Sequence, residues 1–135
     1  NEEITHGIEH TLSLSDIIPT VLDIHHHWIR EGEYIDPRSD DCKRIIDSWR
    51  GTRPVLHYSV SREDVLTGYD AGTKPDHALL LEAGHKKQQL RAHSDFYWNQ
   101  PVNEWALSFW PDFDIQCESK GKNLASFALF EQYCR

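Results

Sequence analysis

Four short apolar runs, at 20–24, 55–59, 90–97 and 113–118, each deliver a histidine or a carboxylate, and segments of helical period lie between them. That alternation constrains the fold more than any other feature. Strands separated by helices join by crossover connections, which makes the sheet parallel. The run Thr20 to Ile24 lies behind Pro19 and leads through Asp23 into His25, His26 and His27. Val55 to Ser59 carries His57, and Leu90 to Tyr97 carries His93 and Asp95. In Phe113 to Glu118, Phe113, Ile115 and Cys117 alternate with Asp114, Gln116 and Glu118, the pattern of a half-buried strand.

The C-terminal ends of parallel strands gather at one face, where sites in such folds are built. Asp23, His25 or His26, His57, His93 and Glu118 are therefore expected to converge there. Imidazole with carboxylate suits Mn, Zn or Fe better than Ca or Mg, and the number of donors suggests a multinuclear centre that activates water for displacement at phosphorus. Strand parity pairs Asp23 with His25, whereas a turn at the strand end brings in His26.

The helical segments follow the same logic. Ile4 to Ser15 has Ile4, Ile8, Leu12 and Leu14 in loose helical period. Asp36-Pro37 reads as a helix start ahead of Cys42, Ile45, Ile46 and Trp49, a single apolar stripe closed by Gly51. After a long loop at 61–76, a helix is expected over His77 to Leu90 with Leu79, Leu80 and Ala83 inward. Pro101 to Trp110 and Lys122 to Tyr133 complete the set, the last with Leu124, Phe127, Ala128 and Phe130 as a wide apolar side.

At 135 residues the chain is one domain in size and about half of a typical (β/α)8 barrel. No apolar run is long enough to span a membrane. The three cysteines, Cys42, Cys117 and Cys134, form no CxxC pattern, which fits a reducing cytoplasm better than a disulfide framework or a zinc ribbon. The net charge of −8 argues against nucleic acid, since a DNA binder usually carries a basic footprint. The start Asn1-Glu2-Glu3 resembles no targeting segment and reads as a truncation.

The segments DIHHH, PVLHYS, RAHSDF and FDIQCESKGKNLA resemble, in order, the motifs of the UV-damage endonuclease family, relatives of endonuclease IV among the metal-dependent TIM-barrel enzymes. The match covers nearly the whole chain, and Asn1-Glu2 resembles the remainder of a further family motif. The resemblance implies that residues 1–135 are the C-terminal part of a TIM (β/α)8 barrel, with about four parallel strands alternating with helices and the N-terminal half missing. It implies that Asp23, His26, His57, His93 and Glu118 are metal ligands, with His93 and Glu118 catalytic. It further implies a cluster of Mn or Zn ions that hydrolyses the phosphodiester 5′ to a UV photoproduct or similar lesion in double-stranded DNA. The expected setting is a bacterial-type cytoplasm, at the nucleoid. The fragment alone is expected to be inactive, and its exposed sheet edges to favour homo-oligomers.

Three departures stand beside the resemblance. Val55 occupies the place of a lysine that some family members carboxylate, Gln116 replaces an apolar residue, and the loop before His93 is long. Arg62, on the loop after His57, is the best candidate for a phosphate contact; Lys86, Lys87, Lys120 and Lys122 are weaker ones. Trp28 offers either a stacking surface for a base or a packing element. The rival readings are a metal-dependent TIM-barrel sugar isomerase or epimerase, which the acidic charge favours, and a non-catalytic metal-binding remnant.

Overall fold

The computed structural model describes residues 6–134. In chain order its elements are α1 (Ile8–Ser13), β1 (Leu22–Asp23), α2 (Ile24–Glu31), α3 (Asp40–Ser48), β2 (Val55–Tyr58), α4 (His77–Glu82), α5 (Lys87–Leu90), α6 (Gln100–Leu107), β3 (Asp114–Cys117) and α7 (Lys122–Tyr133). The expected helix from Ile4 is present only as α1, and Ile4 itself, like Asn1 to Glu3, lies outside the described residues. The three strands form a parallel sheet in sequential order, β1-β2-β3. Helices occupy each crossover, so the α/β alternation read from the sequence is the architecture found.

Register fixes which side chains share a face. Leu22 pairs with Leu56 and Leu56 with Ile115, while Asp23 pairs with His57 and His57 with Gln116. Leu22, Leu56 and Tyr58 are fully shielded on the core face, joined there by Ile24, Phe109 and Phe113. A second cluster, Trp28, Ile29, Leu66, Leu80 and Leu90, seats α2 on the helices that follow β2. Tyr58 donates to Asn103 Oδ1 at 2.6 Å, and Asn103 Nδ2 donates to the Tyr97 carbonyl at 2.9 Å, which ties the central strand to α6.

The structure departs from the sequence expectations in five places. The first strand is two residues long, because Asp23 caps α2 directly and His25 to His27 are helical. Asp36 caps only a turn, accepting from Arg38 N; the helix starts later, with Ser39 accepting from Cys42 N. The helix expected over His77 to Leu90 is split into α4 and α5 at Gly84, whose φ of 99° no helix accommodates; Leu79 faces solvent and Leu80 is the buried residue. Residues 90–97 form no strand, so among the described residues three strands stand where about four were expected. Instead His93 makes one antiparallel bridge with Ser61. Finally, α7 buries Ala125 and Leu129, while Leu124, Phe127 and Phe130 are exposed.

Helix α6 begins as its sequence demands, with Asn99 as cap accepting from Val102 N at 3.1 Å and a proline in its first turn. Asn99 is wholly buried, and its Nδ2 also donates to the Thr73 carbonyl at 2.8 Å, holding the long loop. Asn99→Ala removes both the cap and the bond to the Thr73 carbonyl, and is expected to cost about 2 kcal/mol in urea unfolding.

Candidate metal centre

Asp23 is the last residue of β1 and the cap of α2, with Oδ1 accepting from His26 N at 2.8 Å. The spacing has a simple cause. The cap and the third helical residue are three apart, and capping brings the backbone of the third residue to the cap's carboxylate. Here the side chain of that residue is also drawn in, with His26 Nδ1 3.9 Å from Asp23 Oδ2. The parity question is thereby answered by the helix: His26 leans over the carboxylate, while His25 turns into the core, 4% exposed.

His57 lies on the same sheet face as Asp23, one strand over. Glu118 follows β3 directly, its N–H donating to the Tyr58 carbonyl at 2.8 Å, so the ladder continues one step past the strand. Parity then turns Glu118 to the His57 face, and Glu118 Oε1 lies 3.2 Å from His57 Nδ1. One ligand-type atom from each of Asp23, His57 and Glu118 falls within 4.8 Å of the others. The structure thus assembles three of the five expected ligands into one group.

His26 and His93 border it. Their rings are 6.1 Å apart, and His93 meets His25 edge-on at 5.9 Å. His93 is held by loop-to-loop backbone bonds rather than by a strand. Ser94 N donates to the Val60 carbonyl at 2.9 Å and Arg62 N to the Ala92 carbonyl at 3.1 Å. From the other side Lys120 N and Gly121 N donate to the Ser94 and Asp95 carbonyls, each at 3.0 Å. Gly121 is needed for this approach, since a Cβ there would come within 2.6 Å of the Asp95 carbonyl oxygen. The loop bearing His93 is therefore clamped between the exits of β2 and β3.

The electrostatics follow from burial. The Asp23 carboxyl is pushed above the usual carboxylate range by desolvation, which outweighs the opposing pull of His26. His93 is pushed below the ordinary imidazole range, again mainly by burial, against the attraction of Glu118 and Asp23. His25 is lowered to about 3 by burial and by the neighbouring His93 and His26 rings.

Other candidates take plainer roles. The guanidinium of Arg62 is paired with the Asp64 carboxylate. Trp28 is buried with its ring stacked on His25, which makes it a packing element and leaves no face for a base. Lys87 Nζ donates to the Arg30 carbonyl at 2.7 Å. Val55 is half-buried at the start of β2, beside Asp114, and Gln116 is exposed beside His57. Reading the sequence missed the clamp at Gly121 and the burial of His25. The tripeptide Lys120-Gly121-Lys122 gave a signal of the first in its glycine; nothing local marks the second.

The family model of UV-endonuclease UvdE matches residues 1–134. The chain belongs to the UV-endonuclease family. UV DNA damage endonucleases of two Bacillus cereus strains, B4264 and ATCC 14579, are each 27% identical to it over 139 aligned positions. These alignments cover 98% of this chain but 36% of each relative, so the chain spans about a third of their length. No solved structure matches it significantly.

The buried imidazoles carry a testable consequence. A histidine whose native pKa lies below its unfolded value of 6.5 contributes stability that is complete above pH 6.5 and is lost as the pH falls toward the native value. For His25 the loss approaches about 1.4 kcal/mol per pH unit, and His93 acts in the same direction. The raised Asp23 pKa opposes them but is a single group. The His25 ring resonances are expected to stay at their neutral positions from pH 8 to pH 5 in NMR titration, with the urea midpoint lower at pH 5 than at pH 7.

Proposed function

We propose that Asp23, His57 and Glu118, joined by His26 and His93, hold a centre of divalent Mn or Zn ions. We propose further that the centre serves hydrolysis of a DNA phosphodiester 5′ to UV photoproducts and similar lesions. The observation that carries this reading is the grouping of Asp23, His57 and Glu118 within 4.8 Å in a chain of the UV-endonuclease family.

The residues fit such a centre. Asp23 is a carboxylate whose burial disfavours its charge, the circumstance in which a cation is the natural compensation. Two carboxylates with one to three imidazoles form a mixed nitrogen and oxygen set suited to Mn or Zn. When bound, the ions would supply Lewis-acid chemistry, activating a water and neutralising the departing oxygen. The chain's own groups do the rest. His93, held neutral by burial, is free to ligate or to take a proton at its ring nitrogen, and Glu118 offers a second proton acceptor on the same face. Asp23 stays in place through its bond to His26 N, which holds its carboxylate beside His57 and Glu118.

The sheet is proposed as one wall of a TIM (β/α)8 barrel. Strands in sequential parallel order with helical crossovers are the unit from which that barrel repeats. Damaged duplex DNA would approach the C-terminal strand ends, with Arg62 reaching a phosphate after releasing Asp64. Among the described residues β1 and β3 are edge strands. They would be covered by the remainder of a barrel, or by a second copy when this chain is isolated. The cytoplasm, at the nucleoid, is the proposed setting.

Calorimetric titration of the 135-residue chain with Mn2+ or Zn2+ tests the centre. Asp23→Asn, His57→Ala and Glu118→Gln are each expected to weaken binding by at least tenfold, while Arg62→Ala leaves it unchanged. The reaction is tested by nicking of UV-irradiated against undamaged duplex, using the longest open reading frame that contains this sequence. Lesion-dependent nicking abolished by chelation is the expected result. Metal binding without nicking by that product would instead favour a non-catalytic metal module, and turnover of a sugar substrate would favour an isomerase.

A further inference from the structure

Below the candidate centre, a small cavity lies between α2, the exit of β2 and α6, with room for the centre of a single water, about 10 Å3. Most polar atoms at its wall are already committed. Tyr34 Oη donates to the Pro75 carbonyl at 2.9 Å, Ser61 Oγ to the Leu90 carbonyl at 2.6 Å and Trp105 Nε1 to the Ile35 carbonyl at 2.9 Å. Three are not: His25 Nε2, Trp28 Nε1 and Ser59 Oγ are each buried with no hydrogen-bond partner. All three residues line this one cavity, and they are 4%, 4% and 2% exposed. Buried polar atoms are nearly always satisfied, and three orphans around one water-sized space are a set rather than three accidents.

The chemistry of the three atoms is complementary. Indole Nε1 can only donate, and a hydroxyl donates and accepts. The carbonyls of Leu90 and Arg91 face the His25 ring. With Nε2 unpartnered, the nitrogen toward them is Nδ1, which places the proton there and leaves Nε2 an acceptor. We propose that this cavity is a binding site for one structural water, which accepts from Trp28 Nε1, donates to His25 Nε2 and exchanges a hydrogen bond with Ser59 Oγ. The water fixes His25 as its Nδ1–H tautomer, in the ring that meets His93 edge-on. This site does not depend on the metal reading, for its three atoms are all outside the donor group.

NMR of the metal-free 135-residue chain tests it without substitution. A cross-peak between water and the Trp28 indole N–H, of the sign given by a long-lived bound water, is expected, together with the nitrogen shift pattern of an Nδ1–H tautomer for His25. Absence of the water cross-peak, or an Nε2–H tautomer, overturns the proposal. A high-resolution crystal structure gives the second readout: density for a water within hydrogen-bond reach of all three atoms supports the site, and collapse of the cavity onto Ser59 refutes it.

Discussion

The candidate site depends on the abrupt passage from β1 to α2 at Asp23. A two-residue strand passes into a helix without a loop, and the residue at the junction must both end the ladder and cap the helix. Asp does both, since an extended backbone (φ −99°, ψ 106°) presents its carboxylate to the open N–H groups of the first turn. The same geometry sets the carboxylate beside His57 and Glu118, with a ligand-type atom of each within 4.8 Å of the others. A helix N-terminus favours negative charge there, yet burial disfavours it more, so the carboxyl is left above its ordinary range. An ionised Asp23 therefore gains from any positive group brought to that face. His26 supplies part of it from the third helical position, which the cap itself draws close.

Everything else in the donor group is placed by the sheet. Register sets His57 beside Asp23, and the extra bond from Glu118 N to the Tyr58 carbonyl carries the ladder far enough to bring Glu118 to His57. The opposite face supplies the rigidity. Tyr58 is fully shielded, bonded to Asn103 and stacked on Tyr97 at 4.9 Å, so the strand carrying His57 has little freedom to shift. A one-residue slip would turn Tyr58 to the open face and His57 into the core, a cost that pins the register.

Much of this was legible in the sequence because it is periodic. Alternation in Phe113 to Glu118 placed Gln116 and Glu118 on one face, and the stripe Cys42, Ile45, Ile46 and Trp49 marked the inner side of the third helix, where Cys42 and Ile45 are buried and Ile46 and Trp49 half-buried. What was not legible depends on contacts between distant segments. Nothing in LRAHSDFY says that its backbone will bond to residues 60–62 on one side and 120–121 on the other in place of joining the sheet. Short apolar runs with a β-branched or aliphatic bias do not distinguish a strand from a clamped loop, because the decision lies with the partner's edge. The three histidines misled for a related reason. Read as a strand end they alternate, whereas on a helix consecutive residues point about 100° apart, which sends His25 inward, His26 to Asp23 and His27 to Glu33 at 3.1 Å.

The apolar face of α7 poses the remaining physical question. Leu124, Phe127 and Phe130 are exposed on a helix whose opposite side already buries Ala125 and Leu129. At the other end of the sheet order Leu14, Ile17 and Ile18 are exposed beside β1. Clustered exposed apolar residues mark association surfaces, and here they lie at the two ends of one open sheet. In a closed (β/α)8 barrel each outer helix packs against neighbours on both sides, so the last helix of a partial wall, and the turn after α1 that carries Leu14, Ile17 and Ile18 at the other end, would each show an uncovered apolar flank. The proposed barrel accounts for both patches by one cause. It also accounts for the half-exposed β3, an edge strand among the described residues, which a further strand would cover.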